Sequence, residues 1–290
     1  MKLFTVSSLK WELEKIPKII HFYWGNERLS YLRYLSVYTF HKYNPDWEIR
    51  FYYPKHIQNK ITWDTFEQKS TGYIKDDYYP KLRKLPIGFI QIDFKILGID
   101  NNISEVHKAS FLRQHLLSTT GGAWSDMDIL YFKPINHLAL NTEENKDLDT
   151  LICNDIGGRR HSVAFVLSSE NNDFYNFTYK RAKTMYKPKD YECIGAALVN
   201  RFFPTIESIN KRFPDLKIGN ILPETTYAYN SSHIKEIYTS SDLSKFTDNS
   251  IGVHWYAGHF LASEYINKIT AKNYKNFDNV LCKTIRRVYE

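Results

Sequence analysis

The chain has 290 residues, of which 43% are hydrophobic, and 39 Lys and Arg outweigh 32 Asp and Glu for a formal charge of +7. This size suits one large domain or two small ones, and the basic balance points to anionic partners: phosphorylated small molecules, anionic lipid or nucleic acid. No apolar run nears the roughly 18 residues a membrane-spanning helix needs, and residues 1–13 are broken by Ser, Lys and Glu, unlike a signal peptide.

In chain order, Ile16-Pro-Lys-Ile-Ile-His-Phe-Tyr-Trp24 is a β-rich run that ends at the turn signal Gly25-Asn26. A helix follows over residues 29–43, with Leu32, Leu35, Tyr38 and Thr39 along one side, and Asn44-Pro45-Asp46 stops it. Residues 47–53 form a second strand. Strand, helix and strand in so short a span make a βαβ unit, the opening of a parallel sheet. Residues 56–100 read as less regular, with an irregular lobe around 78–86. Ser104 is a candidate N-cap for a helix over 104–118, with Val106, Ala109, Leu112 and Leu116 at near-helical spacing. Gly121-Gly122 ends it and turns the chain, and a strand over 123–132 comes next. Short strands at 150–153 and 162–167 and helices at 173–185 and 195–203 complete the pattern. Cys153, Cys193 and Cys282 show no Cys-x-x-Cys spacing, which argues against structural zinc or a disulfide framework and for a cytoplasmic setting. No linker, repeat or low-complexity run divides the chain, so a single domain is expected.

The chemistry concentrates in Gly121-Gly-Ala-Trp-Ser-Asp126-Met-Asp128. In an extended segment Asp126 and Asp128 would project to the same side, about 7 Å apart along the backbone. Two carboxylates that close repel unless a cation lies between them. Hard oxygen ligands with open positions suit Mn²⁺ or Mg²⁺ shared with a diphosphate. Asp147-Leu-Asp149 repeats the pattern inside the polar run 141–150, without a preceding helix or glycine pair, and reads as a solvated loop.

The order Ile-Pro-Lys-Ile-Ile-His-x-x-Trp-Gly, Asn-Pro-Asp-Trp-Glu, a Lys-x-x-x-x-Arg helix and Gly-Gly-x-Trp-x-Asp-x-Asp resembles the Asp-x-Asp sugar-transferase family. That family includes the initiating α-mannosyltransferases of yeast and capsule-synthesis enzymes. The match runs over residues 16–136 and returns more faintly at Ile221-Leu-Pro-Glu and Val253-His-Trp-Tyr-Ala-Gly258. The resemblance implies a GT-A fold, a Rossmann-like mixed α/β sheet flanked by helices, in one domain over 1–290. Residues 221–290 would be a C-terminal extension closing over the donor site.

Residue by residue, the resemblance places Phe22, Tyr23, Trp24 and Gly25 in the nucleoside pocket, and Lys108, Ser110 and Arg113 beside the nucleotide sugar. Ser110 stands where the family usually carries an aspartate, and a hydroxyl cannot act as a charged acceptor. Asp126 and Asp128 would bind the metal with His254 as third ligand, while Trp255 and His259 would contact the donor. Asp155, Asp190 and Glu192 are candidates to face the sugar. Residues 251–263 are expected to form a mobile flap that orders over the donor.

The function implied is metal-dependent transfer of a sugar from a nucleoside diphosphate, UDP favoured over GDP, to a glycan, glycolipid or other hydroxyl acceptor, mostly with retention. Two rivals have support in the residues: a metal-dependent phosphohydrolase or nuclease, and a non-catalytic carbohydrate- or nucleic-acid-binding domain. The basic residues are scattered rather than massed, so no nucleic-acid partner is expected. Contact with a membrane, if any, would be peripheral.

Overall fold

The computed structural model describes residues 13–26, 28–58, 75–138, 147–155 and 160–290. The first βαβ unit forms as its sequence dictates. β1 (Ile19–Tyr23) leads to α1 (Tyr31–Tyr43), whose N-cap Ser30 accepts the Arg33 N–H, and then to β2 (Glu48–Pro54), parallel to β1 from Ile19/Glu48 to Tyr23/Tyr52. A short α2 (Tyr79–Leu82) precedes β3 (Gly88–Ile92), an edge strand inside the stretch that looked irregular. Next come α3 (Glu105–Thr119), capped by Ser104, β4 (Gly122–Ser125) and β5 (Ile129–Tyr131). The second half supplies β6 (Thr150–Asp155), β7 (Arg160–Ser168), α4 (Asp173–Met185), α5 (Ala196–Phe202), α6 (Ile206–Arg212) and β8 (Ile218–Asn220). It closes with α7 (Ile234–Thr239), β9 (Gly252–His254), α8 (Phe260–Lys268) and α9 (Val280–Tyr289).

Seven strands make one mixed sheet in the order β3-β2-β1-β4-β7-β6-β8. β3, β2, β1 and β4 are parallel, β7 runs against β4 and β6, and β8 is parallel to β6. Side chains alternate across the sheet. Ile20 and Phe22 enter a core shared with α1, α7 and α9, while Tyr23 and Trp124 enter the opposite core with α3 and α4. The product is an α/β sheet with helices on both faces. Residues from 221 onward join the first of these cores through Ile221, Ile237, Val253 and Ile285, so they are part of its packing.

The strand expected over 123–132 is two strands in different sheets. β4 belongs to the main sheet, β5 pairs antiparallel with β9, and the chain turns at Asp126, Met127 and Asp128 between them. The acidic pair therefore sits on a turn at the carboxyl end of β4, not along an extended strand. The glycine pair has a steric cause. Gly121 and Gly122 have φ of +67° and +89°, and a Cβ on Gly122 would come 2.5 Å from the Ile19 carbonyl oxygen.

His21 fixes the same corner from β1. Its Nε2 lies 2.8 Å from the Gly121 carbonyl, which can only accept, so Nε2 carries the proton; Nδ1 faces the Tyr52 hydroxyl at 3.3 Å. Burial pulls its pKa from 6.5 down to about 4, only partly offset by that carbonyl, with Arg50 lowering it further. Between those values the unfolded chain binds a proton that the folded chain does not. Stability from this residue is present above pH 6.5 and is lost as pH falls towards 4, by roughly 3 kcal/mol. Urea unfolding across this window should show a shallower pH slope for His21→Gln than for the unaltered chain.

Candidate active site

The carboxyl ends of β1 and β4 lie side by side, the place where open α/β sheets bind ligands. Asp126 leaves β4 with its N–H on the Ala164 carbonyl at 2.8 Å. Its Oδ1 accepts from the Trp124 indole at 2.6 Å and faces Arg113 Nη1 at 3.7 Å. Asp128 is buried and held from the other side. Its carbonyl accepts the Trp255 N–H at 2.9 Å and its Oδ2 the Ala257 N–H at 2.8 Å. His254 Nε2 stands 3.1 Å from Oδ1, an ion-pair distance. The other ring nitrogen of His254, Nδ1, is buried without a hydrogen-bond partner.

The two carboxyls behave differently. Burial raises the pKa of Asp126, opposed by Arg113 and reinforced by the charge on Asp128. Burial also pushes Asp128 up, but His254, Arg33 and the Ala257 N–H outweigh it, so its pKa is lowered. For His254 burial favours the neutral ring, yet Asp128 and Asp126 prevail and its pKa is raised. The site thus sets two carboxylates against the guanidiniums of Arg113 and Arg33 and an imidazole whose protonated form the carboxylates favour.

Whether these residues suit a divalent cation is decided by their chemistry. Asp128 and His254 are in contact at 3.1 Å, Asp126 lies within electrostatic reach of both, and the buried Nδ1 of His254 lacks a hydrogen-bond partner. Among the described residues no group of three or more His, Cys, Asp or Glu forms a ready-made metal cage. Mg²⁺ and Mn²⁺ in nucleotide sites take one or two carboxylates and leave other positions to phosphate and water. The residues fit such a shared site.

The other expected residues divide. Arg113 faces Asp126, and its guanidinium carbon is 5.9 Å from the Trp124 ring. Ser110 and Arg113 flank the backbone of Gly195, where a Cβ would lie 3.9 Å from Ser110 Oγ and 3.7 Å from Arg113 Nη2. That approach brings in the turn holding Asp190 and Glu192, both exposed; the Glu192 carbonyl accepts the Gly195 N–H, and the Asp190 carbonyl the His107 ring N–H. Asp155 ends β6 at the same end of the sheet as Asp126, and its side chain lies outside the described part of the chain. Trp24 is half-buried at the rim.

Phe22 packs edge-on against Phe40 in the core and does not line the site. Lys108, expected beside the donor, is wholly buried: its ammonium is 2.7 Å from both Glu105 Oε1 and the His56 carbonyl. Glu105 in turn accepts from the Tyr23 hydroxyl and fills the space against Gly25. Tyr23, Gly25 and Lys108 are therefore tied to this internal carboxylate.

The first part of the expected flap, residues 251–257, is largely core, whereas residues 258–261 are half-buried or exposed. β9 pairs with β5, and Ile251, Val253, Trp255 and Ala257 are buried, because the aromatic and aliphatic side chains alternate inward. Tyr238 donates its hydroxyl to the Trp255 carbonyl. His259 caps α8 by accepting the Leu261 N–H at 3.3 Å. Tyr256, between His254 and Ala257, has φ +51°, a costly conformation for an aromatic residue and one that concentrates at functional sites.

Two residues were missed by sequence reasoning, Glu105 and Arg33. Arg33 lies in the first turn of α1, with its guanidinium carbon 4.0 Å from the Trp24 ring and 5.7 Å from the Trp255 ring. Burial lowers its pKa, against the opposing pull of Asp128, Tyr191 and Asp126. A cation opposes the helix dipole at that position, which was the one available signal. Two surface cavities, of about 340 Å³ beside Phe177 and Phe213 and about 70 Å³ beside Cys193, lie apart from the acidic turn.

The second Asp-x-Asp copy is not simply a solvated loop. Residues 141–146 lie outside the described part, but Asp149 is buried, accepting from Lys15 at 3.1 Å and from the Lys217 N–H at 2.9 Å. Asp147 is exposed and pairs with Lys217.

No protein-family model and no curated protein matches this chain. Among solved structures it is similar to the PaToxG glycosyltransferase at 14% identity and TM-score 0.43, covering 93% of this chain and 87% of that one. It is also similar to the glycosyltransferase GlyE of Streptococcus pneumoniae TIGR4, at 11% identity and TM-score 0.46, covering 95% of this chain and 61% of that one. A third is the galactosyltransferase LgtC in complex with donor and acceptor sugar analogues, at 13% identity and TM-score 0.40, covering 89% and 100%. Likenesses this distant decide nothing about the site.

Two outcomes follow from these placements. Trp255→Ala should destabilise the fold by about 3–5 kcal/mol, as deletion of a buried tryptophan does, measured by chemical denaturation. Asp149→Ala should cost about 1–3 kcal/mol by orphaning the Lys217 N–H, whereas Asp147→Ala should leave the melting temperature within a degree or two, as exposed ion pairs contribute little.

Proposed function

We propose that this protein is a metal-dependent glycosyltransferase that moves a sugar from a nucleoside-diphosphate sugar, UDP-linked by preference, to a hydroxyl of a glycan or glycolipid. The observation that carries the reading is the turn Asp126-Met-Asp128 at the carboxyl end of β4, joined by His254 and by Arg113. Asp126, Asp128 and His254 would hold Mn²⁺ or Mg²⁺, which when bound supplies positive charge to the diphosphate. Arg113 would add a fixed cation beside it, where charge grows as the sugar leaves the nucleotide. Trp24 offers an aromatic face at the rim for the base. The acceptor would enter beside the 186–195 turn, which carries Asp190 and Glu192 next to Arg113. Retention of anomeric configuration is the expected outcome, and Asp155, Asp190 and Glu192 are the candidates to face the sugar in this reading.

A phosphohydrolase acting through two metals would need more acidic ligands around the pair. Asp126 and Asp128 instead face the guanidinium of Arg113 and the imidazole of His254, with no further carboxylate from the described residues in contact with the pair.

The test is release of UDP or GDP from a panel of nucleotide sugars, with and without Mn²⁺. Asp128→Ala should lower turnover by at least a hundredfold and abolish Mn²⁺-dependent nucleotide binding, while Asp147→Ala stays near the unaltered chain. Phosphate-ester hydrolysis without nucleotide release would sink the reading.

A further inference from the structure

Arg33 is the charged group whose position the fold explains least. It occupies the first turn of α1, where its charge opposes the helix dipole. Its guanidinium is pressed 4.0 Å from the Trp24 ring, and it lies within electrostatic reach of Asp126, Asp128 and Tyr191. Among the described residues it makes no ion pair, and its one protein acceptor is the Met127 carbonyl at 3.5 Å. Arginine carries five N–H donors in a planar fork. Most of that fork is left for another acceptor.

The place of this fork narrows what the acceptor can be. Met127 is the centre of the acidic turn, so Arg33 touches the loop that carries both aspartates. Trp24 follows β1, and the Arg33 guanidinium also lies 5.7 Å from the Trp255 ring. The arginine thus stands between an aromatic face at the rim and the carboxylates. Stacking on indole leaves the guanidinium edge, where the N–H groups point, available to a planar or tetrahedral oxyanion. A ligand that lies on Trp24 and reaches the acidic turn must pass that edge.

We propose that Arg33 is a diphosphate-binding residue of this site, held in position by Trp24, and that it engages a phosphate oxygen of the nucleoside diphosphate from the α1 side while Arg113 acts from the α3 side. The inference rests on the glycosyltransferase reading and adds to it a residue outside the matched motifs. It also gives Trp24 a second duty, orienting a cation as well as facing a base. Lysine would not replace Arg33 in full, since an ammonium lacks the planar fork and the stacking surface.

The experiment compares the nucleoside diphosphate that the unaltered chain binds, UDP or GDP, with its parent nucleoside, in Mn²⁺. Calorimetry reads the diphosphate and ligand-observed NMR the nucleoside. Arg33→Gln should weaken the diphosphate at least tenfold and change the nucleoside by less than twofold, with Arg33→Lys in between. Equal weakening of both ligands would make Arg33 a prop for Trp24 and overturn the proposal, as would a diphosphate affinity within twofold of the unaltered chain. If Arg33→Gln fails to fold, as judged by circular dichroism, Arg33→Lys decides, with a loss of threefold or more expected. An unaltered chain that binds neither UDP nor GDP would defeat the glycosyltransferase reading itself, and this proposal with it.

Discussion

The acidic turn is clamped between two segments that are far apart in sequence. Asp126 is anchored to β7 through the Ala164 carbonyl, and Asp128 to the 254–257 segment through its carbonyl and Oδ2. Asp128 and Ala257 are separated by 129 positions, so this contact exists only when β9 has paired with β5. The positive φ of Tyr256 aims the Ala257 N–H at the carboxylate. Backbone strain of this kind costs about 1–3 kcal/mol and persists only where surrounding structure over-determines it. Here buried Trp255 and Val253 supply that surrounding structure.

From the clamp follows the electrostatic character of the site. Two carboxylates on a three-residue turn are unfavourable together, and the burial of Asp128 adds to the cost. The protein answers with Arg113 from α3, Arg33 from α1 and His254 from β9, each from a different element. His254 meets Asp128 Oδ1 at 3.1 Å through Nε2, and its buried Nδ1 has no hydrogen-bond partner. A cation shared with an anionic ligand satisfies both signs at once.

A second buried charge pair, Lys108 with Glu105, stiffens the neighbouring corner. Glu105 gathers the Tyr23 hydroxyl, the Lys108 ammonium and the Gln58 N–H, and packs on Gly25. Such a pair is weak evidence for stability, but removing one partner would strand the other in the core. It links β1, α3 and the segment after β2, the three elements that surround the rim beside Trp24. Rigid support of this kind is what a binding site on strand ends requires.

Much of the fold was legible because its signals are local. The βαβ opening, the Ser104 cap, the glycine pair and the acidic motif all depend on neighbours within a few residues: alternation, side-chain capping and the φ angles that only glycine takes freely. The break at 126–128 was not legible, since apolar residues on both sides of the turn imitate one continuous strand. β8 and β9, three residues each, are too short for periodicity to register. Phe22, Lys108 and Trp255 carry the residue types of a binding site yet are buried, and Asp149 imitates a surface acid yet staples two backbone segments. The sequence by itself determined the secondary structure around the motif and the identity of its acids. Tertiary structure alone decided that the acidic pair sits on a turn facing His254, that Arg33 lies beside it and that the 251–257 stretch is largely core. The physical reason is that these outcomes depend on which strands become neighbours, and strand order is settled by the packing of the whole sheet rather than by any short run of residues.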